Sequence, residues 1–262
     1  MSNDRYVSPL SERYASKEMQ YIFSPDKKFR TWRKLWIALA ETEKELGLHI
    51  TDEQIAELKE HADDINFDVA KEREKVVRHD VMSHVYAYGV QCPKAKGNHP
   101  SWSNFLLCRG QYGYYYHGRG TEVGPYEADQ CDCRTGKIRR CTESPANTCI
   151  YPFPAGTADN CRKKSDAVGC RSLKMDLEDL EYVLGSLKLL GSKGTTGTQA
   201  SFLELFDGDQ ETIDKIDPMI AEKMGFKACY PVSGQTYSRK VDTRVMNILA
   251  GIAASAHKFS ND

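Results

Sequence analysis

The stretch FRTWRKLWIALAETEKELGL, residues 29–48, decides the fold because it predicts one long amphipathic helix. Ser24 and Pro25 precede it with the residue types of a helix cap and a first helical position, and Gly47 is a typical stop. Its large apolar side chains recur at three- and four-residue steps along one face: Phe29, Trp32, Leu35, Trp36, Leu39 and Leu46. The N-terminal block is therefore helical by pattern.

Two more helices are predicted immediately downstream. Thr51 and Gln54 have the spacing of a capping box, which predicts the start of a helix containing Ile55 and Leu58. A third helical stretch is predicted from about residue 67 to residue 88. Its apolar residues share one side: Val77, Val81, Val85 and Tyr88.

The C-terminal block is helical by the same criterion. Residues 175–190, 210–224 and 239–259 each predict a helix. The loop GSKGTTGTQAS, residues 191–201, lies between the first two. It is not a P-loop, because no Gly-Lys-Ser/Thr follows a glycine at the required spacing.

The overall composition is that of a soluble globular protein. The chain has 262 residues, 40% hydrophobic and 28% charged, with a formal net charge of −1. Bulk charge therefore gives no reason to expect a nucleic-acid or membrane partner. The N-terminal residues lack the apolar segment of a signal peptide, and LWIALA is too short to span a bilayer. We expect a cytoplasmic protein.

Residues 98–174 differ in composition from the rest of the chain. They hold seven of the nine cysteines, eight glycines and six tyrosines, but only seven Leu, Ile, Val or Met residues. They carry 11 Lys and Arg against 7 Asp and Glu, whereas the remainder carries 25 against 30. The segment shows neither helical nor strand periodicity, so we expect it to be irregular.

The cysteines of this segment raise the question of a metal or disulfide site. The intervals between the last six contain one, seven, seven, eleven and eight residues, so no C-x-x-C pair begins a zinc site. A disulfide framework needs an oxidising compartment, and the sequence gives no sign of export. The basic, tyrosine-rich stretch QYGYYYHGRG, residues 111–120, is a weak signal for nucleobase stacking. The favoured interpretation is that the segment forms no organised site and binds no metal.

On both sides of this segment, the sequence contains long blocks that match one known enzyme family. The matching N-terminal text is SPLSERYAS (8–16), FRTWRKLWIALAETEKELGL (29–48), ITDEQI (50–55), RHDVMSHV (78–85) and CPKAKG (92–97). The matching C-terminal text is KGTTGTQASFLELFDGD (193–209), EKMGFK (222–227) and SGQTYSRKVD (233–242). These blocks total 82 of the 262 residues and are too long to match by coincidence. They resemble adenylosuccinate lyase.

The resemblance implies the all-α fold of the fumarase/aspartase superfamily, whose members are homotetramers with active sites shared between subunits. It divides the chain into an N-terminal helical domain (1–97), the aberrant segment (98–174) and part of the central long-helix bundle (175–262), with the C-terminal domain absent. It implies β-elimination of fumarate from adenylosuccinate to give AMP, and from the succinyl-carboxamide ribotide (SAICAR) to give AICAR. A purine nucleotide substrate and no cofactor are expected.

The resemblance also implies site residues. Arg13 and Tyr14 resemble substrate-binding residues near the phosphate, and Gln235 resembles a further substrate contact. Without the family resemblance, the residue pattern alone would predict that Arg13 is a solvated surface charge and that Gln235 is an ordinary residue at the start of a helix.

Arg78, His79 and Asp80 resemble a trio that lines the site, with His79 contributing to substrate positioning and proton transfer. If the three residues lay on a helix, they would spread over about 200° of its circumference, so they could not share one solvent face. Residue patterns alone would leave His79 undecided between a functional and a structural role.

The family pattern should continue past residue 97 with IIHLGATS and later with THFQPA, but neither motif is present. Residues 98–105 and 148–157 can be back-translated with codons that, shifted by one base, read IIHLGATS and LAFTHFQPA. Trp102 has a single codon, so the glycine of the first motif is forced. We therefore hypothesise that residues 98 to about 174 are translated out of frame, with the frame restored just before Met175.

This hypothesis predicts an inactive chain. The general acid/base histidine of THFQPA is lost because its codon is split between Pro152 and Phe153, and the family's loop serine lies beyond Asp262. An alternative is a non-catalytic lyase-derived scaffold with a cysteine-rich insertion that binds a metal or a partner. A further alternative is a lyase completed by full-length subunits in a mixed tetramer.

Overall fold

The computed structural model describes residues 8–96, 161–193, 198–234 and 236–261, with only the backbone for residues 161–170. Over these ranges the regular structure is helical, with no strand, so the all-α prediction is confirmed. A π-helical turn, Leu10–Tyr14, precedes the α-helices. These are α1 Lys17–Ile22, α2 Pro25–Glu45, α3 Asp52–Glu60, α4 Phe67–Val77, α5 Asp80–Gln91, α6 Pro93–Lys96, α7 Cys161–Ser186, α8 Ala200–Leu205, α9 Gln210–Lys223 and α10 Lys240–Asn261.

The chain divides into two compact units. Among the described residues, the first unit holds α1 to α6 together with α8, α9 and their connections between residues 187 and 237. The second unit holds α7 and α10, which contact each other. The sequence-based boundaries at residues 97 and 174 stay predictions.

Helix α2 is the centre of the first unit, as its pattern predicts. The Ser24 hydroxyl accepts a hydrogen bond from the Lys27 amide at 3.2 Å, which caps the helix start. Four of the predicted apolar residues are completely buried: Trp32, Leu35, Trp36 and Leu39. Burying a side chain of this size contributes about 1.5–3 kcal/mol. The face of α2 packs against α3 and α9.

The predicted capping box at the start of α3 is confirmed. The Gln54 amide donates to the Thr51 hydroxyl at 3.3 Å, and the Thr51 amide donates to the Gln54 side-chain carbonyl at 2.9 Å. The Gln54 side chain also donates to the Lys94 carbonyl at 3.0 Å. The same glutamine therefore caps α3 and ties it to α6.

The prediction of one helical stretch over residues 67–88 is wrong at its centre. The amide of Arg78 makes the last helical hydrogen bond of α4, to the Glu74 carbonyl at 2.8 Å. The left-handed backbone of Arg78, with φ of 51°, then ends the helix. His79 is extended and α5 begins at Asp80. The trio therefore lies at a helix–helix junction and not around one continuous helix. Periodicity missed the break because Val77, Val81, Val85 and Tyr88 keep a helical spacing across it.

The prediction of irregular structure over residues 98–174 is wrong for its last part. Helix α7 begins at Cys161, fourteen residues before the expected start. The text CRKKSDAVGCRSLK contains several good helix formers, and extending an existing helix is far easier than nucleating one. Residues 98–160 lie outside the described part of the chain.

No helix within the described ranges is long and apolar enough to cross a membrane. In the second unit, a Cβ added at Gly251 of α10 would lie 3.4 Å from Asp176 Oδ1 of α7, so the two helices approach closely there.

The charged side chain of Arg33 is buried in the first unit. The Arg33 guanidinium is 2% exposed and donates to the carbonyl oxygens of His61 and Asp64, the latter at 2.6 Å. It also donates to Gln91 Oε1 at 2.7 Å and lies 4.2 Å from the centroid of the Tyr88 ring. Burial lowers the pKa of Arg33 from its usual value. The fork links α2, the loop after α3 and the end of α5.

Replacing Arg33 with Met should lower the free energy of unfolding by about 3 kcal/mol, because buried acceptors on two segments lose their donor. The neighbouring Arg30 offers a matched control, since it makes ion pairs with Asp26 and Asp63 at the protein surface. Arg30→Met should change the free energy by less than about 1 kcal/mol. Urea denaturation measures both, and equal losses would contradict the assigned role of Arg33.

Candidate functional site

The predicted trio lies where α4 ends and α5 begins. Arg78 and His79 are exposed, and the Asp80 side chain is 28% exposed. The left-handed backbone at Arg78 reverses the chain between the two helices, which pack against each other. Left-handed non-glycine residues are strained and cluster at functional positions. The junction therefore presents three adjacent polar side chains on a supported turn.

His79 is the N-cap of α5. Its Nδ1 accepts a hydrogen bond from the Met82 amide at 3.3 Å, and its carbonyl accepts from the Ser83 hydroxyl at 2.7 Å. Since Nδ1 acts as an acceptor, the proton of the neutral ring is on Nε2. The side chain is 48% exposed. His79 can therefore offer an Nε2–H donor to a bound molecule while it holds the start of the helix.

Asp80 is held by its own helix and faces a lysine. Its Oδ1 accepts from the Val81 amide at 2.9 Å, and a carboxylate in the first turn is favoured by the helix dipole. Lys28 Nζ lies 4.0 Å from Asp80 Oδ2. The same ammonium lies about 5 Å from the ring centroids of Phe29 and Trp32. Lys28 is thus a cationic neighbour of the trio that sequence reasoning did not single out.

His84 lies one turn behind the trio, in the core. Its ring stacks on Phe29 with centroids 3.5 Å apart and planes inclined by 15°, and Trp32 and Phe67 meet it edge-on. Burial, together with the positive charges of Arg33 and Lys28, lowers the pKa of His84 to about 4. His84 is therefore neutral near pH 7 and anchors α5 against α2.

Two of the other predicted site residues lie in the N-terminal turn. Arg13 and Tyr14 end the π-helical turn near the N-terminus, and both are exposed, Tyr14 at 76%. Gln235 lies outside the described residues. The structure thus brings Arg78, His79 and Asp80 together, and the substrate-binding roles of all six residues stay predictions.

A second polar cluster was missed by the sequence analysis. Lys193 Nζ lies 2.5 Å from Asp217 Oδ2, and both side chains are buried. Lys193 belongs to the loop that failed the P-loop comparison, and Asp217 lies inside α9. The sequence contained one signal for this cluster: Asp217 is a charged residue within the apolar stripe of α9, between Ile216 and Ile220.

No group of three or more His, Cys, Asp or Glu side chains with the geometry of a metal site occurs in the part of the chain that the structure describes. Two cysteines with described side chains, Cys92 and Cys229, are free thiols. Burial raises the pKa of the Cys92 thiol to about 12, and burial also raises that of Cys229. Neither is an activated nucleophile.

Comparison with known proteins finds relatives that match nearly the whole chain. No family model matches the chain. The adenylosuccinate lyase of Schistosoma mansoni is 37% identical over 99% of this chain and 54% of its own length, and that of Saccharomyces cerevisiae has the same values. The chain therefore spans about half the length of the curated relatives it matches.

Solved structures show the same fold at lower identity. The 3-carboxy-cis,cis-muconate lactonizing enzyme of Pseudomonas putida matches with a TM-score of 0.73 and 14% identity, over 97% of this chain and 57% of that one. A fumarate lyase from Mesorhizobium sp. BNC1 matches with a TM-score of 0.68 and 13% identity, over 95% and 56%.

The chain has the all-α fold of these solved structures. Among proteins with this fold, the sequence similarity to curated relatives along nearly the whole chain is specific. Those relatives are adenylosuccinate lyases.

The stability of the first unit should fall as the pH is lowered from about 6.5 to about 4. The folded pKa of His84 lies below its unfolded value, so only the unfolded state takes up the proton in this window. The His84 contribution is complete above pH 6.5 and is lost towards pH 4, by at most about 3 kcal/mol.

Replacing His84 with Phe keeps an aromatic ring but removes the titration. Urea denaturation at several pH values should then show a flatter pH dependence for His84→Phe than for the unaltered chain. His49→Phe, at an exposed position, controls for the loss of an imidazole. An unchanged pH dependence in His84→Phe would contradict the role of burial.

Proposed function

We propose that the protein is an adenylosuccinate lyase, which eliminates fumarate from adenylosuccinate to give AMP and from SAICAR to give AICAR. The observation that carries this proposal is the 37% identity to curated adenylosuccinate lyases over 99% of the chain. The elimination needs no cofactor. The substrate is a purine nucleotide, and neither a nucleic acid nor a membrane is a partner.

The junction between α4 and α5 supplies groups that suit this reaction. The substrate carries a phosphate and two carboxylates, which planar guanidinium groups such as those of Arg13 and Arg78 can bind through paired hydrogen bonds. A base removes the proton from the β-carbon, the carbon–nitrogen bond breaks, and an acid protonates the departing nitrogen. The Nε2–H of His79 is suited to donate a hydrogen bond to the negative charge that develops.

The active assembly is a homotetramer in the cytoplasm. Support comes from the second unit, whose two long helices carry large exposed apolar side chains: Met175, Tyr182, Met246, Leu249 and Phe259. Exposed apolar residues on long helices are typical of surfaces that another subunit covers. The central bundle of the superfamily would bury them.

Residues 98 to about 174 are an out-of-frame translation of the gene. The support is twofold: the composition changes at both ends, and two family motifs reappear in one shifted frame. The chain as it stands is inactive, because the shift removes the general acid/base histidine of THFQPA and the Thr-Ser pair of IIHLGATS, which the family resemblance implies is a substrate contact. His79 alone does not replace them.

Sequencing the transcript tests the shifted frame. We expect an insertion or deletion just before the codon of Asn98 and a compensating one before Met175. Purified chain should release no fumarate from adenylosuccinate, whereas the product of the frame-corrected transcript should. An uninterrupted frame encoding NHPSWSNF, or fumarate release by the chain alone, would refute the hypothesis. Release only after full-length subunits are added would indicate a mixed tetramer.

The cysteines favour one alternative function, that of a non-catalytic scaffold with a metal- or partner-binding insertion. Six cysteines lie between residues 131 and 170. This alternative predicts stoichiometric zinc or defined disulfides in the purified chain. The out-of-frame hypothesis predicts no bound zinc, no defined disulfides and poor solubility. Elemental analysis and thiol titration distinguish the two.

Substitution of His79 separates its structural and chemical roles. In the frame-corrected enzyme, both His79→Asn and His79→Ala should lower kcat/KM about 100-fold or more, because both lose the imidazole. Only His79→Ala should also lower stability, by about 1 kcal/mol, since asparagine is itself a good N-cap. Steady-state kinetics and urea denaturation measure the two effects. Full activity in His79→Asn would show that capping is the residue's whole role.

A further inference from the structure

The aromatic core fixes the position of the Lys28 ammonium near the start of α2. Lys28 Nζ lies 5.1 Å from the centroid of the Phe29 ring and 5.0 Å from that of Trp32, and the faces of such rings attract a positive charge. Trp32 is buried, and Phe29 packs edge-on against it with ring centroids 5.1 Å apart. Because the core holds both rings, it also holds the charge that lies over them.

The same two rings fix the start of α5. Phe29 stacks on His84, and Trp32 meets the His84 ring edge-on with centroids 6.1 Å apart. His84 lies one turn after Asp80 on α5. The core therefore sets the place of the ammonium and the place of the first turn of α5 together. The separation of Lys28 from Asp80 follows from this packing and does not depend on the ion pair itself.

The two oxygens of the Asp80 carboxylate have different partners. Oδ1 accepts from the Val81 amide at 2.9 Å and lies 3.9 Å from His79 Nδ1. Oδ2 lies 4.0 Å from Lys28 Nζ. The χ2 torsion of an aspartate is intrinsically broad, so a carboxylate with a partner on one oxygen only can still rotate. The ammonium on the second oxygen restricts that rotation.

Stability does not account for this ion pair. The side chains of Lys28 and Asp80 are 33% and 28% exposed, and ion pairs that solvent reaches contribute little to the free energy of unfolding. What the pair adds is geometry at the junction, where Asp80 lies next to His79. A group that touches a substrate must be held in one orientation for the reaction to proceed efficiently.

We propose that Lys28 is a positioning residue for the reaction: its ammonium, fixed over Phe29 and Trp32, orients the Asp80 carboxylate beside His79. The family resemblance implies that Asp80 binds the substrate, and Lys28 acts through Asp80. The role of Lys28 in the reaction rests on the proposed function. The contact between Lys28 and Asp80 does not.

Kinetics of the frame-corrected enzyme test the positioning. Lys28→Met keeps an unbranched side chain against the rings but removes the charge, so kcat for adenylosuccinate should fall about 10-fold while KM changes less than about 2-fold. Lys28→Arg keeps a positive charge that can lie over aromatic rings, and its kcat should stay within about 3-fold of the unaltered enzyme. Lys27→Met is the matched control, because the Lys27 ammonium lies over the Tyr21 ring on α1, and kcat should be unchanged.

A double-mutant cycle tests whether Lys28 acts through Asp80. Asp80→Asn removes the charge of the carboxylate and should itself lower kcat. In the Asp80→Asn background, Lys28→Met should cause no further loss, because the group that the ammonium orients has already been changed. Losses that multiply in the double variant would overturn the proposal.

Crystal structures without substrate test the contact independently of activity. In Lys28→Met the Asp80 carboxylate should lose its single orientation, whereas in Lys28→Arg and Lys27→Met it should keep it. An unchanged carboxylate in Lys28→Met would overturn the proposal, whatever the activity of the enzyme.

The kinetic outcomes separate this proposal from the proposed function. A rise in KM at constant kcat in Lys28→Met would show that Lys28 binds the substrate directly, and a lower urea midpoint at constant kcat would show a purely structural role. Either result overturns the positioning role and leaves the proposed function standing. A frame-corrected enzyme with Lys28 intact that releases no fumarate would contradict the proposed function, and with it the part of the proposal that concerns the reaction.

Discussion

The burial of one face of α2 is the constraint on which the first unit depends. Trp32 and Trp36 occupy its centre, and the Trp36 ring lies 5.9 Å from that of Tyr88 on α5. Between them Arg33 extends to the carbonyls of His61 and Asp64, so the apolar face and the loop after α3 are fixed by one helix. The position of α5, and with it the junction that presents the trio, follows from this packing.

The same packing connects the core to the chemistry. His84 stacks on Phe29 within the core, five residues after His79 caps the helix at the surface. Lys28, next to Phe29 on α2, has its ammonium 4.0 Å from Asp80 Oδ2. A change in how α2 and α5 meet would therefore move the ammonium, the carboxylate and the imidazole together.

The sequence predicted the helices whose ends carry local signals. Ser24 caps α2, and Thr51 with Gln54 caps α3, because these interactions involve only neighbouring residues. The break at Arg78 and the Lys193–Asp217 pair could not be predicted. The first depends on a left-handed residue without glycine, and the second joins residues 24 positions apart. The trio was recognised by family resemblance, while its placement at a junction required the structure.

The cap at His79 has a consequence for proton movement. A doubly protonated imidazole has no lone pair on Nδ1, so it cannot accept the Met82 amide. Carrying a proton on Nδ1 and accepting the Met82 amide are therefore mutually exclusive for this ring. The backbone carbonyl of His79 is not limited in this way, because it accepts the Ser83 hydroxyl whichever ring nitrogen carries a proton.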